Sequence, residues 1–468
     1  MWIDKLMKLT RSKHHVSLGL PKATVSKGLL SVFFLKISRL SLWAIFSAVI
    51  VLAGCQSAST VGRSPILVGP SASETVSGSE STQAPSELVN ASIYLDVAIP
   101  SFAPGLPLDN YGEIDGDELE EEGIWPQLRR TEAKLFASEM KTALESEKVF
   151  GSVSVTPDAS TPSDLFVLGE ILHSDSEVVE IELTVVDSTG EILGNSSFEH
   201  TVSKGFLRDQ LNAGKNPYQP VFLKASDYVV SLLAKLSMED KQYIKNMSLM
   251  RYARYYSPEN YSQYLSSEVK RKGGQRYYKF ELTGIPDASD PMLRRIEDLR
   301  AQELLFVDRL QDNYEVFEAE TRDAYSTWQA ETLPEIIAAR EARTERNTKA
   351  ILGIGAAILA AILLKKGVEK SRQRGGTGAP DYDIGAIAAG VGSVWAINEA
   401  FKNNARMKVH SAVIDEQGQA LDISVSPTII EFENQTVELK GTAQEQYLQW
   451  KTHLRKVFEE EKTPDIQL

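Results

Sequence analysis

The sequence predicts an α+β fold: a small α/β sandwich domain, a helical coiled-coil-like region with a glycine-rich apolar helical hairpin, and a small mixed β/α tail. Three observations predict it. Over 92–240 short apolar runs alternate with helical patterning, and over 241–349 apolar residues recur at three- and four-residue spacing. Two glycine-bearing apolar segments, separated by a polar, partly basic loop, then lie within 350–404, before strand and turn signals return over 405–468.

The first strand is expected over 93–100, an apolar run ended by Pro100. The stretch with Glu113, Asp115, Asp117, Glu118, Glu120, Glu121 and Glu122 reads as a solvated acidic loop, because it lacks the closing glutamate of a calcium loop. Over 131–149, Leu135, Met140, Leu144 and Val149 fall near one helical face. Strands are expected at Val153 and Val155, over 164–171, and over 178–186, where Val179, Ile181, Leu183 and Val185 alternate. Asp187-Ser188-Thr189-Gly190 supplies hairpin turn chemistry into Ile192 and Leu193. Helix returns over 225–236.

Residues 238–273 are expected to be helical, split at Ser257-Pro258, and carry Tyr243, Tyr252, Tyr255, Tyr256, Tyr261 and Tyr264. Tyrosines so spaced pack between helices with their hydroxyls at the rim, and stacking on sugar rings is the alternative. Asp290-Pro291 opens another helix. Within it Val307, Leu310, Tyr314, Phe317, Thr321, Ala324 and Trp328 form a coiled-coil or helix-pair seam, which Pro334 bends or interrupts.

Gly353 and Gly355 lie in the first apolar segment, 350–364, and Gly385, Gly390 and Gly392 in the second, 384–397. Small residues four apart let helix backbones approach closely. Each segment gives about 22 Å of helix, short of a free-standing span. Three readings stay open: a glycine-zipper hairpin in or against a membrane, a buried hairpin forming an oligomer interface, or ordinary core. In the tail, strands are expected over 409–414, 421–425, 429–432 and 437–439, and a closing helix places Tyr447, Trp450, Leu454 and Val457 on one face.

Ahead of these elements, residues 55–91 are mostly Ser, Thr, Gly, Ala and Pro, a tether without core residues. It is preceded by Lys36, Arg39 and an apolar run over 40–53 ending Leu52-Ala53-Gly54-Cys55, the layout of an export signal. Cys55 is the single cysteine of 468 residues. The stretch resembles the signal of bacterial lipoproteins, whose lipobox Leu-Ala-Gly-Cys it matches at every position. The resemblance implies that 1–54 is removed by cleavage between Gly54 and Cys55. It also implies a diacylglycerol on the Cys55 thiol and an N-acyl chain such as palmitate on its amine. Gln56 is not the aspartate that retains such proteins at the inner membrane, so the implied place is the outer membrane, facing the periplasm.

Removing 1–54 takes eight of 50 basic and one of 64 acidic residues, leaving a net charge near −21. Such a surface repels nucleic acid. The expected partners are the membrane, through the lipid anchor, and a periplasmic or outer-membrane protein; a homo-oligomer is open. His173, His200, His410 and His453 stand singly, without metal-site spacing.

The order strand, helix, short strand, strand, hairpin, helix resembles the small α/β domain of the curli-production assembly lipoprotein family. The lipoproteins that activate penicillin-binding proteins share it, as does the amino-terminal domain of TolB. The likeness rests on Val97-Ala98-Ile99-Pro100-Ser101-Phe102, on the run from Ser163 to Ile171, and on the run from Val185 to Leu193. The extra amphipathic hairpins of curli channels are not found, so the resemblance implies a binding domain. Nucleophile elbow, Walker loop, zinc-protease and dinucleotide motifs are absent, and neither an enzyme nor a non-covalent cofactor or metal is expected. The expected role is structural, assembly or partner-binding in the cell envelope. The alternative is an oligomeric component of a secretion or transport channel.

Overall fold

The chain divides into two units, Met1–Val61 and Gly62–Leu468. The computed structural model describes residues 68–69 and 93–462, apart from 273, 288, 351–393 and 434, with side chains left aside at 275, 343–350 and 462. The first unit lies outside the described residues, and the second is mixed α and β.

β1 (Val97–Pro100) runs parallel to both of its neighbours, β2 (Val153–Thr156) and β3 (Leu165–Ser174). β3, β4 (Val178–Asp187) and β5 (Ile192–Thr201) continue as an antiparallel meander, giving the order β2-β1-β3-β4-β5. Asp175 shapes the first turn by accepting from the Glu177 and Val178 amides. Asp187 shapes the second by accepting from the Thr189 and Glu191 amides. The alternating Val179, Ile181, Leu183 and Val185 are all fully buried. They join the core under α2 (Pro126–Glu147) and α3 (Gln219–Leu233). The opposite face carries a smaller cluster of Ala98, Phe166, Val186, Ile192, Tyr277 and Val68.

The acidic stretch is not a loop. Gly116–Glu122 forms α1, with the Asp115 side chain accepting from the Asp117 and Glu118 amides and Gly123 closing it at φ +74°. Acids in the first turn complement the helix dipole, which is why so charged a segment folds. α2 begins at Pro126, earlier than its apolar spacing indicated.

The region 238–273 is helical only in its first part. α4 (Met238–Tyr256) starts in a capping box between Ser237 and Asp240, and α5 (Pro258–Tyr261) follows. Then β6 (Leu265–Lys272) and β7 (Gln275–Leu282) form a hairpin. The hairpin signal is Gly273-Gly274, followed by the β-favouring Tyr277, Tyr278 and Phe280. The Phe280 amide donates to the Thr189 carbonyl at 2.7 Å, tying β7 to the β4–β5 turn.

α6 (Pro291–Ala350) runs unbroken through Pro334, flanked by buried Leu333, Ile336 and Ile337. All seven seam residues are buried. Their cover is composite: α2, α4, β2, α7 (Val394–Asn403), α8 (Lys408–Gln417) and α9 (Ala443–Lys462) all pack on α6. α8 replaces the strand expected over 409–414. Val409 is exposed while Ser411 and Ile414 are buried, a three-residue rather than two-residue period. Over 421–425 there is one bridge, Ser424 to Thr442, in place of a strand. β8 (Thr428–Phe432) pairs with β9 (Gln435–Leu439), and Tyr447, Trp450, Leu454 and Val457 of α9 are buried together.

Candidate functional site

α2 turns Leu128, Arg129, Glu132, Leu135 and Phe136 inward, so a charged i,i+3 pair sits on an otherwise apolar face. Glu132 is fully buried, and its Oε2 lies 3.6 Å from Arg129 Nε. Its Oε1 accepts from Ser174 Oγ of β3 at 2.6 Å and from the Tyr325 hydroxyl of α6 at 2.8 Å. Arg129 Nη2 donates to the Ser174 carbonyl at 3.4 Å. Arg129 Nη1 and Glu132 Oε2 have no hydrogen-bond partner among the described residues. Burial pushes the Glu132 carboxyl up, against the pull of Arg129 and the two hydroxyls. It also raises the Tyr325 phenol well above its ordinary value, so that hydroxyl remains a donor.

Beside this cluster opens a groove of about 580 Å³ between α2, the 206–217 turns and α6. Leu135, Phe136, Leu207 and Ala319 supply apolar wall, and Glu139 and Arg322 supply charge. Tyr325 belongs to both places: it is among the residues that line the groove, and its hydroxyl donates to Glu132. A second groove of about 660 Å³, between the end of α2, β2 and α6, is lined by Lys141, Glu145, Lys148, Asp308 and Arg309.

Two other buried carboxylates join elements. Glu303 of α6 accepts from the Tyr252 hydroxyl at 2.8 Å and the Tyr447 hydroxyl at 2.5 Å, and burial pushes its carboxyl up. Asp422 accepts from the Tyr314 hydroxyl at 3.0 Å and the Gln444 amide at 2.6 Å. Near it Lys134 donates to the carbonyls of Gln417 and Ala420, with burial lowering its ammonium to about 8.

The residues singled out from sequence fall elsewhere. Gly54, Cys55 and Gln56, and Gly353, Gly355, Gly385, Gly390 and Gly392, lie outside the described residues. The end of the second apolar segment is described: Ile397 is buried in α7, next to Asn398, which accepts from Trp328 Nε1 at 3.0 Å. The tyrosines divide. Tyr252, Tyr256 and Tyr261 are buried, with hydroxyls engaged by Glu303, Tyr252 and Asp290 in turn. They are packing residues, and no sugar-stacking face is formed by them. Among the described residues no group of three or more His, Cys, Asp or Glu is placed to hold a metal.

Arg129 and Glu132 were not found from the sequence. Their signal was a charged pair three residues apart on the inward stripe of a helix, at positions where Leu128 and Leu135 mark the core. No protein-family model matches the chain, and no curated protein or solved structure matches it.

Proposed function

We propose that the chain is a lipoprotein anchored in the outer membrane through acylated Cys55 and facing the periplasm, where its body is a structural or partner-binding component of the cell envelope. The observation that supports the reading is Leu52-Ala53-Gly54-Cys55 at the end of the apolar run over 40–53. No helix among the described residues is long and apolar enough to cross a membrane. The body is taken as a small α/β domain, a helical region with its apolar hairpin, and a β-rich tail. The groove at Tyr325 supports partner binding, since apolar walls with a few placed polar groups are the makeup of binding sites.

The test is Cys55→Ser in cells fed labelled palmitate. The expected result is loss of label and an uncleaved precursor at the inner membrane; a processed, outer-membrane variant overturns the proposal. A photo-crosslinking residue at exposed Leu207 should capture an envelope protein, and Ala319→Arg should abolish the capture while the melting temperature holds. Capture that survives Ala319→Arg removes the groove from the reading.

A further inference from the structure

The segment read from sequence as core-free enters the body at one point. Val68 is 1% exposed, seated among Ala98, Phe166, Val186, Ile192 and Tyr277 on the sheet face away from α2 and α3. The Gly69 amide donates to the Ala159 carbonyl at 2.6 Å. Arg251 of α4 donates through Nη2 to the Val68 carbonyl and through Nη1 to the Ser188 carbonyl at 2.8 Å. Its guanidinium lies 4.2 Å from the centre of the Phe280 ring, so β7 holds the arginine in place. Gly69 has φ +89°, and a side-chain carbon there would meet the guanidinium at 2.9 Å, so both backbone and space call for glycine. In sequence these two residues belong to Pro65-Ile66-Leu67-Val68-Gly69-Pro70, the longest run of large apolar residues between Cys55 and Ile93.

We propose that Val68–Gly69 is a docking element and that the second face of the sheet is its binding site: the chain's own leader is clipped there, with Arg251 as the latch. The consequence for reach rests on the Cys55 anchor. With the clip closed, residues 56–67 alone link lipid to body; with it open, residues 56–92 do. Fully stretched, those lengths are about 40 Å and about 125 Å. As coils they average about 20 Å and about 33 Å. The clip thus sets how far from the membrane the body can work, without changing the body.

Trypsin reads the clip directly. Arg63 is the one Lys or Arg between Cys55 and Leu128, so a single cleavage site, Arg63–Ser64, precedes the clip by five residues. Val68→Asp places a charge among five apolar neighbours and should raise the cleavage rate of the full-length protein by about tenfold or more, as proteolysis follows the open population. Arg251→Gln should act in the same direction. The Gly69 amide should exchange slowly in the wild type and rapidly in Val68→Asp, with the far-ultraviolet circular dichroism unchanged. Equal cleavage and equal exchange in the two proteins overturn the proposal. Neither readout needs a lipid, so both are repeated on Cys55→Ser: protection there upholds the clip whatever becomes of the anchor.

Discussion

Asp422 is 6% exposed, with both oxygens accepting hydrogen bonds, and burial pushes its carboxyl up to about 6. An unfolded aspartate titrates near 3.9. The folded chain therefore binds this proton more tightly than the unfolded chain does. The stability so contributed is full below about pH 4 and is lost as pH rises through about 6. Wild type should lose up to about 3 kcal/mol relative to Asp422→Asn between pH 4 and 7. Parallel melting-temperature curves for the two proteins over that range would refute this. Gly105 makes a different demand. It has φ +58°, and a side-chain carbon would collide with the Ile171 carbonyl oxygen, beside Ala103, which accepts from the Ile171 amide at 2.9 Å and donates to the Gly169 carbonyl at 2.7 Å. Gly105→Ala should destabilise by about 2–4 kcal/mol, read by urea denaturation.

Among elements, Glu303 ties three helices: its own α6, α4 through Tyr252 and α9 through Tyr447. Glu303→Ala removes the acceptor of two buried hydroxyls and leaves a void, an expected loss of about 3–5 kcal/mol in denaturant unfolding. Adding Tyr252→Phe and Tyr447→Phe should recover part of it; no recovery would assign the whole loss to the void. How far such elements were legible depended on period. Val179 to Val185 alternate because one side of β4 is wholly buried, and Val307 to Trp328 keep helical spacing because one side of α6 is. β6 hid because Ser266, Ser267, Glu268 and Val269 are all exposed, so no face is marked by apolarity. α1 hid because its signal is a cap, Asp115, rather than a stripe. The Glu132 cluster was illegible for a further reason. A helical stripe says that position 132 points inward, but Ser174 and Tyr325 reach it only through long-range packing of β3 and α6.

For the whole molecule, the α/β elements and the later helices share one hydrophobic core, from Leu95 to Phe458. Residues 92–240 expressed alone would lack Tyr325 beneath Glu132 and the α6 seam over the sheet edge. That fragment should melt below the full chain and bind a hydrophobic dye, whereas the described body should unfold in one calorimetric transition. A fragment melting with the full chain would show that the two parts are energetically separate. One contact in this assembly has a bearing on crowding. Gln311 of α6 accepts from the Val155 amide at 3.0 Å and donates to the Val155 carbonyl at 2.9 Å, on the outer edge of β2. Exposed strand edges invite strands from other chains and so seed aggregation. A side-chain amide that imitates a neighbouring strand stoppers this edge, so copies that meet there at high concentration find no template for β-pairing.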